Sequence, residues 1–161
     1  MYIPGKFTAG ALSLALTATA SAQSLDDQIN ADYPYLDELF KELHQNPELS
    51  MQEFKTSDRM AAEMAALGFE VTREVGNTGV VGVMKNGDGP TLMIRADMDG
   101  LPVEEKTGFS YASQARQVNL EDMDMPVMHA CGHDVHMAVL IGTARRMVDL
   151  KDQWQGTLML V

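Results

Sequence analysis

The fold class is decided by the stretch Val80–Ala96, which reads VVGVMKNGDGPTLMIRA. Two runs rich in Val, Leu, Ile and Met flank the turn-forming residues Asn86–Pro90, so the pattern predicts two strands, Val80–Lys85 and Thr91–Ala96. A Gly-rich connection of this kind is typical of an antiparallel hairpin. We therefore expect the two strands to pair directly with each other.

Two amphipathic helices are predicted before this stretch. Apolar residues recur at i, i+3, i+4 and i+7 within Leu36–Leu43, and the helix is expected to end just before Pro47. Ser50 and Glu53 fit a capping box for a second helix, and Gly68 is a suitable residue to end it.

Further elements follow on both sides of the opening stretch. Phe69–Val75 is predicted to be a strand, a long polar loop covers Asp97–Met128, a third helix starts near Asp134, and Gly156–Val161 forms another apolar strand. Helices and strands alternating in this order predict an α/β sandwich with a mixed sheet.

Composition limits the classes of function. The chain has 161 residues, 45% of them hydrophobic and 22% charged, as expected for a soluble globular protein with one core. The net charge of -11 leaves no basic stripe for a phosphate backbone, so we expect no nucleic-acid partner. The single cysteine, Cys131, rules out a disulfide within the chain.

Residues 1–22 have the pattern of a signal peptide. Lys6 supplies a positive charge, Ala9–Ala20 is apolar or small, and Ala20–Ala22 has the A-x-A form of a cleavage site. The apolar stretch is short for a membrane anchor. We expect an exported protein, periplasmic or secreted and free of the membrane after cleavage, whose residues 23–161 form the functional part.

The densest set of potential ligands is His129–His136, which reads HACGHDVH. Thiolate and imidazole together suit zinc and similar divalent ions, and Gly132 allows the backbone to bend so that Cys131 and His133 face one ion. Cys131 and His133 are the predicted ligands. The roles of the two flanking histidines stay open.

A second group of polar residues, Arg95–Pro102, follows a predicted strand and reads RADMDGLP. Carboxylates at strand ends in α/β folds often face a ligand, and either Asp97 or Asp99 is placed to orient a metal-bound histidine. A solvated acidic turn is the alternative. Two acidic groups, Glu104–Glu105 and the stretch Glu121, Asp122 and Asp124, are read as solvated loop residues. Of the two groups, the one with Glu104 is the more relevant because it is near the Asp97 turn.

These motifs carry a family resemblance. Arg95–Pro102 together with Met128–Asp134 resembles the amidohydrolase branch of the aminoacylase/carboxypeptidase metallopeptidase superfamily, which includes hippurate hydrolases, N-acyl-amino-acid hydrolases and auxin-conjugate hydrolases. His44–Ser50 and Thr78–Gly82 resemble further parts of the family pattern. The resemblance extends over nearly all of residues 23–161.

The resemblance implies a binuclear centre of two divalent ions, zinc or manganese, with Cys131 and His133 as ligands and Asp97 as the active-site aspartate. It implies hydrolysis of the amide bond of an N-acyl amino acid or a short peptide. It also implies a glutamate pair, two later histidines and a lid or dimerisation domain beyond Val161. The chain is therefore expected to be the N-terminal part of a longer catalytic domain, and a homodimer through that later domain is possible.

Three other interpretations stay open. The complete protein is a metallo-carboxypeptidase acting on short peptides, or the chain as given is a non-catalytic metal-binding remnant. In the third, Cys131 is a nucleophile or redox thiol activated by His129 or His133.

Overall fold

A computed structural model describes residues 24–161. The predicted signal peptide, residues 1–22, lies outside the described residues. Within residues 24–161 no helix is both long and apolar enough to cross a membrane. In chain order the elements are α1 (Leu25–Gln45), α2 (Phe54–Ala66), β1 (Glu70–Val75), β2 (Gly79–Asn86), β3 (Thr91–Ile94), β4 (Arg116–Val118), β5 (Asp124–Pro126), α3 (His133–Asp149) and β6 (Gly156–Leu160).

Four of the strands form one mixed sheet in the order β1-β2-β6-β3. β1 and β2 are antiparallel neighbours, and β2 also pairs antiparallel with β6, where Gly82 lies opposite Leu160. β3 runs parallel to β6, with Ile94 opposite Leu160. The predicted α/β fold with a mixed sheet is confirmed.

The predicted hairpin between β2 and β3 is wrong, because β6 lies between these two strands. The connecting loop instead passes close to the start of β6, where the amide of Thr157 donates to the carbonyl of Pro90 at 2.9 Å. Gly156 has φ +121°, and a Cβ there would collide with the Pro90 carbonyl oxygen. The turn signal in Asn86–Pro90 therefore marks a step over one strand, and the true hairpin is β1–β2.

The core lies against one face of this sheet. Val80 and Met84 of β2 and Leu158 and Leu160 of β6 are all at most 4% exposed, because alternate residues of a strand point to the same side. α2 packs on β1 and β2, and α1 packs on α3. The helices contribute to the same core the side chains of Leu39, Leu43, Met60, Met64, Met137, Leu140 and Ile141. Burying each large apolar side chain stabilises the fold by about 1.5–3 kcal/mol.

The start of α2 differs from the expected capping box. Ser50 makes no capping bond, and Glu53 accepts instead from the amide of Met51 and the hydroxyl of Thr78. Glu48 provides the cap, because its carboxylate accepts from the backbone amides of Lys55 and Thr56 at 3.2 and 2.8 Å. An anion is stabilised at this position by the free amides and the helix dipole.

α1 begins at Leu25, well before the first residue of the predicted apolar pattern. Ser24 accepts from the amide of Asp27 and caps the helix. The early turns are held by buried Asp32, which receives hydrogen bonds from Arg145 at 2.8 Å and Arg146 at 2.6 Å on α3. A contact across more than a hundred residues leaves no trace in local periodicity.

The long segment predicted as a polar loop contains the β4–β5 hairpin. This hairpin is fastened to the chain before α2: Gln117 accepts from the amide of Leu49 at 2.6 Å, and Gln52 donates to the carbonyl of Val118 at 3.2 Å. The chain that follows the hairpin returns to the segment Arg95–Pro102, since Met128 pairs with Leu101.

Candidate metal centre

The two predicted metal ligands lie at the beginning of α3. Cys131 is exposed, and His133 is the first residue of the helix. Gly132 between them has φ 76° and ψ 24°, a left-handed conformation that other residues rarely adopt. The bend expected at this glycine is therefore present, and the thiol stands at the amino end of a helix.

The imidazole of His133 is oriented by Asp99. Its Nδ1 lies 2.9 Å from the backbone oxygen and 3.0 Å from Oδ1 of Asp99, so both neighbours are acceptors. Nδ1 must then carry a proton, so the neutral form of the ring has its lone pair on Nε2. A histidine held in this way through its other nitrogen is typical of metal ligands. The sequence left open whether Asp97 or Asp99 has this orienting role, and the contact belongs to Asp99.

Asp97 lies elsewhere at the end of β3. Its half-exposed carboxylate accepts from Arg95, including a bond of 3.1 Å from Nη1, and it lines a cleft of about 240 Å³ together with Asp99. Among the hydrogen bonds and ion pairs of residues 24–161, none joins Asp97 to Cys131 or His133. The catalytic role of Asp97 stays a prediction.

His129 is buried, with 4% of its surface exposed, and neither ring nitrogen has a hydrogen-bond partner in the described part of the chain. Burial lowers its pKa more than the nearby charge of Asp134 raises it. The lower pKa favours the neutral ring, which has a free lone pair. His136 is exposed, and its ring centroid lies 6.0 Å from that of His133.

A buried histidine from α1 adjoins the site. Nδ1 of His44 lies 2.6 Å from Asp134 Oδ2, and Nε2 lies 3.0 Å from Glu105 Oε1. Burial disfavours the charged ring, but the hydrogen bonds to Glu105 and Asp134 outweigh it and raise the pKa of His44. Burial also acts on Glu105, yet bonds from Thr107, His44 and the Ser113 amide lower its pKa.

The interpretation of Glu105 as a solvated loop residue is wrong, because its side chain is 0% exposed and contacts His44. Its neighbour Glu104 is a solvated residue as predicted, since its side chain is 69% exposed and pairs with Lys106. Glu105 therefore faces the core, whereas Glu104 faces solvent. The role of His44 was also missed. The residue was noted only as part of the family motif, and no local pattern indicated its contact with Asp134, which lies 90 residues away.

The residues of this turn fit a divalent metal ion in part. They offer an exposed thiol and an imidazole whose Nε2 is free, and these are the donors that zinc prefers. Within residues 24–161, no group of three or more His, Cys, Asp or Glu side chains is arranged to hold a metal ion. Cys131 and His133 therefore supply two donors, and a tetrahedral shell needs two more.

Comparison with known proteins agrees with this chemistry. Residues 93–161 match the family described as Peptidase family M20/M25/M40. Thermostable carboxypeptidase 2 of Saccharolobus solfataricus is 38% identical over 141 residues, which make up 86% of this chain and 34% of the relative. Hippurate hydrolase of Campylobacter jejuni is 41% identical over 105 residues, which make up 65% of this chain and 25% of that protein.

A solved structure shows the same fold. The crystal structure of a dinuclear metal binding peptidase of the M20 family from Bacillus subtilis superimposes with a TM-score of 0.71 at 33% identity, covering 81% of this chain and 34% of that one. This chain thus spans about a third or less of the proteins that it matches. Its residues 93–161 thus match the Peptidase family M20/M25/M40, and the similarity to members of that family extends over most of the described residues.

Proposed function

We propose that this chain supplies one side of a two-metal centre in an enzyme that hydrolyses the amide bond of N-acyl amino acids. The observation that carries the proposal is the pairing of an exposed Cys131 thiol with a His133 whose Nδ1 is fixed by Asp99. Support comes from the hippurate hydrolase relative and from the dinuclear centre named for the M20 peptidase structure. Zinc and manganese are the proposed ions.

The residues of this chain have separate parts in the proposal. Cys131 and the Nε2 of His133 hold metal, and Asp99 fixes the ring that presents Nε2. Bound divalent ions supply polarisation of the scissile carbonyl and a lower pKa for attacking water. Asp97, at the rim of the same cleft as Asp99, is the proposed active-site aspartate, and Arg95 holds its carboxylate in place.

Cleavage of short peptides is the second candidate, and the carboxypeptidase relative at 38% identity favours it. A non-catalytic metal-binding role is the third, and it is favoured by the absence of a third ligand beside Cys131 and His133 within residues 24–161. We also propose that the protein is exported, from the signal-peptide pattern of residues 1–22.

Alkylation of Cys131 tests the metal claim directly. The thiol is the only one in the sequence, so iodoacetamide labelling reports on a single site. Added Zn²⁺ should slow labelling of the wild-type chain, because a ligated thiolate does not react as a free nucleophile. His133→Gln should abolish this protection. His136→Gln, an exposed histidine on the same helix, is the matched control and should retain it.

The hydrolytic claim needs the longest reading frame that contains this chain. Purified with Zn²⁺ or Mn²⁺, it should release free amino acid from N-acyl amino acids, and a chelator should stop the release. Faster release from dipeptides than from N-acyl amino acids would favour the carboxypeptidase. Zinc protection of Cys131 without hydrolysis of either substrate would leave only the metal-binding role, and equal labelling with and without zinc would overturn ligation.

A further inference from the structure

His44 stands between two carboxylates that belong to different parts of the chain. Asp134 lies in the first turn of α3, and Glu105 lies in the segment that follows Asp99. Both ring nitrogens face carboxylate oxygens, so hydrogen bonds through the imidazole join Asp134, His44 and Glu105 into one buried unit. Rings of Phe40 and Tyr111 lie 5.6 and 5.3 Å from the imidazole and exclude water from it.

The two carboxylates are themselves fixed by backbone amides. Ser113 donates to the free oxygen of Glu105 at 2.5 Å, and Val135 donates to the free oxygen of Asp134 at 2.9 Å. The Glu105 side chain is 0% exposed and that of Asp134 is 2% exposed. Moving His44 therefore moves backbone segments as well as side chains.

We infer that His44 is a positioning residue for the metal-binding turn, which it holds at a fixed distance from Asp99 through Asp134 and Glu105. The inference rests on the proposed function for its link to metal. Asp134 is adjacent to His133 in sequence, and Asp99 shares a segment with Glu105. By joining Asp134 to Glu105, His44 sets the distance between the His133 ring and Asp99. The oxygens of Asp99 in turn fix the proton of that ring on Nδ1.

Loss of His44 should release this arrangement. Two buried carboxylates without the ring between them repel each other, and low dielectric strengthens the repulsion. Asp134 and Glu105 then separate, Asp99 moves away from His133, and the proton on the His133 ring is no longer confined to Nδ1. The expected result is a metal ligand in mixed tautomers and a weaker zinc site.

The test compares His44→Gln with Leu43→Ala in the same chain. Leu43 is the preceding residue of α1 and is 4% exposed, so its truncation weakens the core without touching either carboxylate. ¹⁵N spectra of the histidine rings, recorded without metal at about pH 8, identify which nitrogen carries the proton. His133→Gln assigns the signals of that ring.

The wild type and Leu43→Ala should show predominantly the Nδ1–H form of His133, and His44→Gln should lose that predominance. Zinc affinity, followed by protection of Cys131, should fall about tenfold or more in His44→Gln and stay unchanged in Leu43→Ala. Glu105→Gln keeps the shape of the bridge and weakens one side of it, so it should show the same loss of the Nδ1–H form and decides the matter where His44→Gln does not fold.

An unchanged His133 tautomer in His44→Gln and Glu105→Gln would overturn the inference, as would an equal loss in Leu43→Ala. The tautomer measurement needs neither metal nor substrate. The wild-type chain could show the Nδ1–H form and His44→Gln lose it, while zinc gives Cys131 no protection. That result would contradict the proposed function and leave the positioning role in place.

Discussion

Replacing Asp32 by Asn should destabilise the protein by removing the charge that joins α1 to α3. The carboxylate of Asp32 accepts from Arg145 through Oδ1 at 2.8 Å and from Arg146 through Oδ2 at 2.6 Å. Asn has nearly the same volume, so the change tests charge rather than packing. One guanidinium retains an acceptor in the amide oxygen, and the other loses its bond to residue 32.

The size of the effect follows from the exposure of the three side chains. An exposed ion pair contributes about 0–1 kcal/mol, whereas removing one partner of a buried pair costs about 3–5 kcal/mol. The Asp32 side chain is 10% exposed, and those of Arg145 and Arg146 are 32% and 15% exposed. This intermediate burial gives an expected loss of about 2 kcal/mol at neutral pH.

The loss should depend on pH in one direction. The hydrogen bond from Arg145 lowers the pKa of Asp32 below its ordinary value of 3.8 and outweighs the effect of burial. A carboxylate with a lower pKa in the folded state stabilises the fold above its unfolded pKa and loses that contribution as the pH falls through its folded pKa. The difference between wild type and Asp32→Asn should therefore be constant from pH 8 to about pH 5 and shrink below 3.8.

Urea unfolding followed by circular dichroism at several pH values measures this difference. Asp37→Asn is the matched control, since Asp37 lies on the same helix and pairs with Lys41 at 2.6 Å in solvent. Its cost should be about 0.5 kcal/mol or less. A loss for Asp32→Asn no larger than that of Asp37→Asn, or one that does not diminish as the carboxyl takes up a proton, would refute the reasoning.

Two further predictions concern the ends of elements. Glu48→Ala removes the cap of α2 and should lower the free energy of unfolding by about 1 kcal/mol in urea titrations. Ser50→Ala removes no cap and should have little effect. Equal losses in the two variants would contradict the assignment of Glu48 as the cap. Asn86→Ala removes the side-chain amide that donates to the carbonyls of Lys151 and Trp154, both at 2.7 Å. The change should lower the free energy of unfolding by about 1–2 kcal/mol and shift the fluorescence of Trp154 to the red. An unchanged spectrum and stability would show that these bonds do not hold the turn.

Local signals in the sequence were sufficient for the types of all the elements except the short β4–β5 hairpin, which was predicted as loop. The end of α1 before Pro47, the end of α2 at Gly68 and the start of α3 beside Asp134 are close to their predicted places, because prolines, glycines and caps act within a few residues. Strand order was not predictable in this way. The turn residues before Pro90 are compatible with a hairpin and with a step over a strand, and only β6, far along the chain, selects between them.

The candidate site divides in the same way. The cluster around Cys131 and the turn at Asp99 were recognisable because their ligands are close in sequence, and the structure joins them through His133. His44 and Glu105 were not, because a buried ion pair depends on which side chains the fold brings together. Asp134 and Glu105 lie 90 and 61 residues away from His44, which is too far for any periodic pattern to indicate the contacts.

The central place of β6 has a consequence for synthesis on the ribosome. Residues 95–155 must be translated before β6 exists, which takes roughly 3–12 s at about 5–20 residues per second. During that time the β1–β2 hairpin is complete, but β3 has no neighbour, and its Leu92 and Met93 are more than half exposed even in the finished fold. Unpaired strand edges in a nascent chain invite pairing with other chains. The order of the strands thus leaves β3 without a partner for this whole interval.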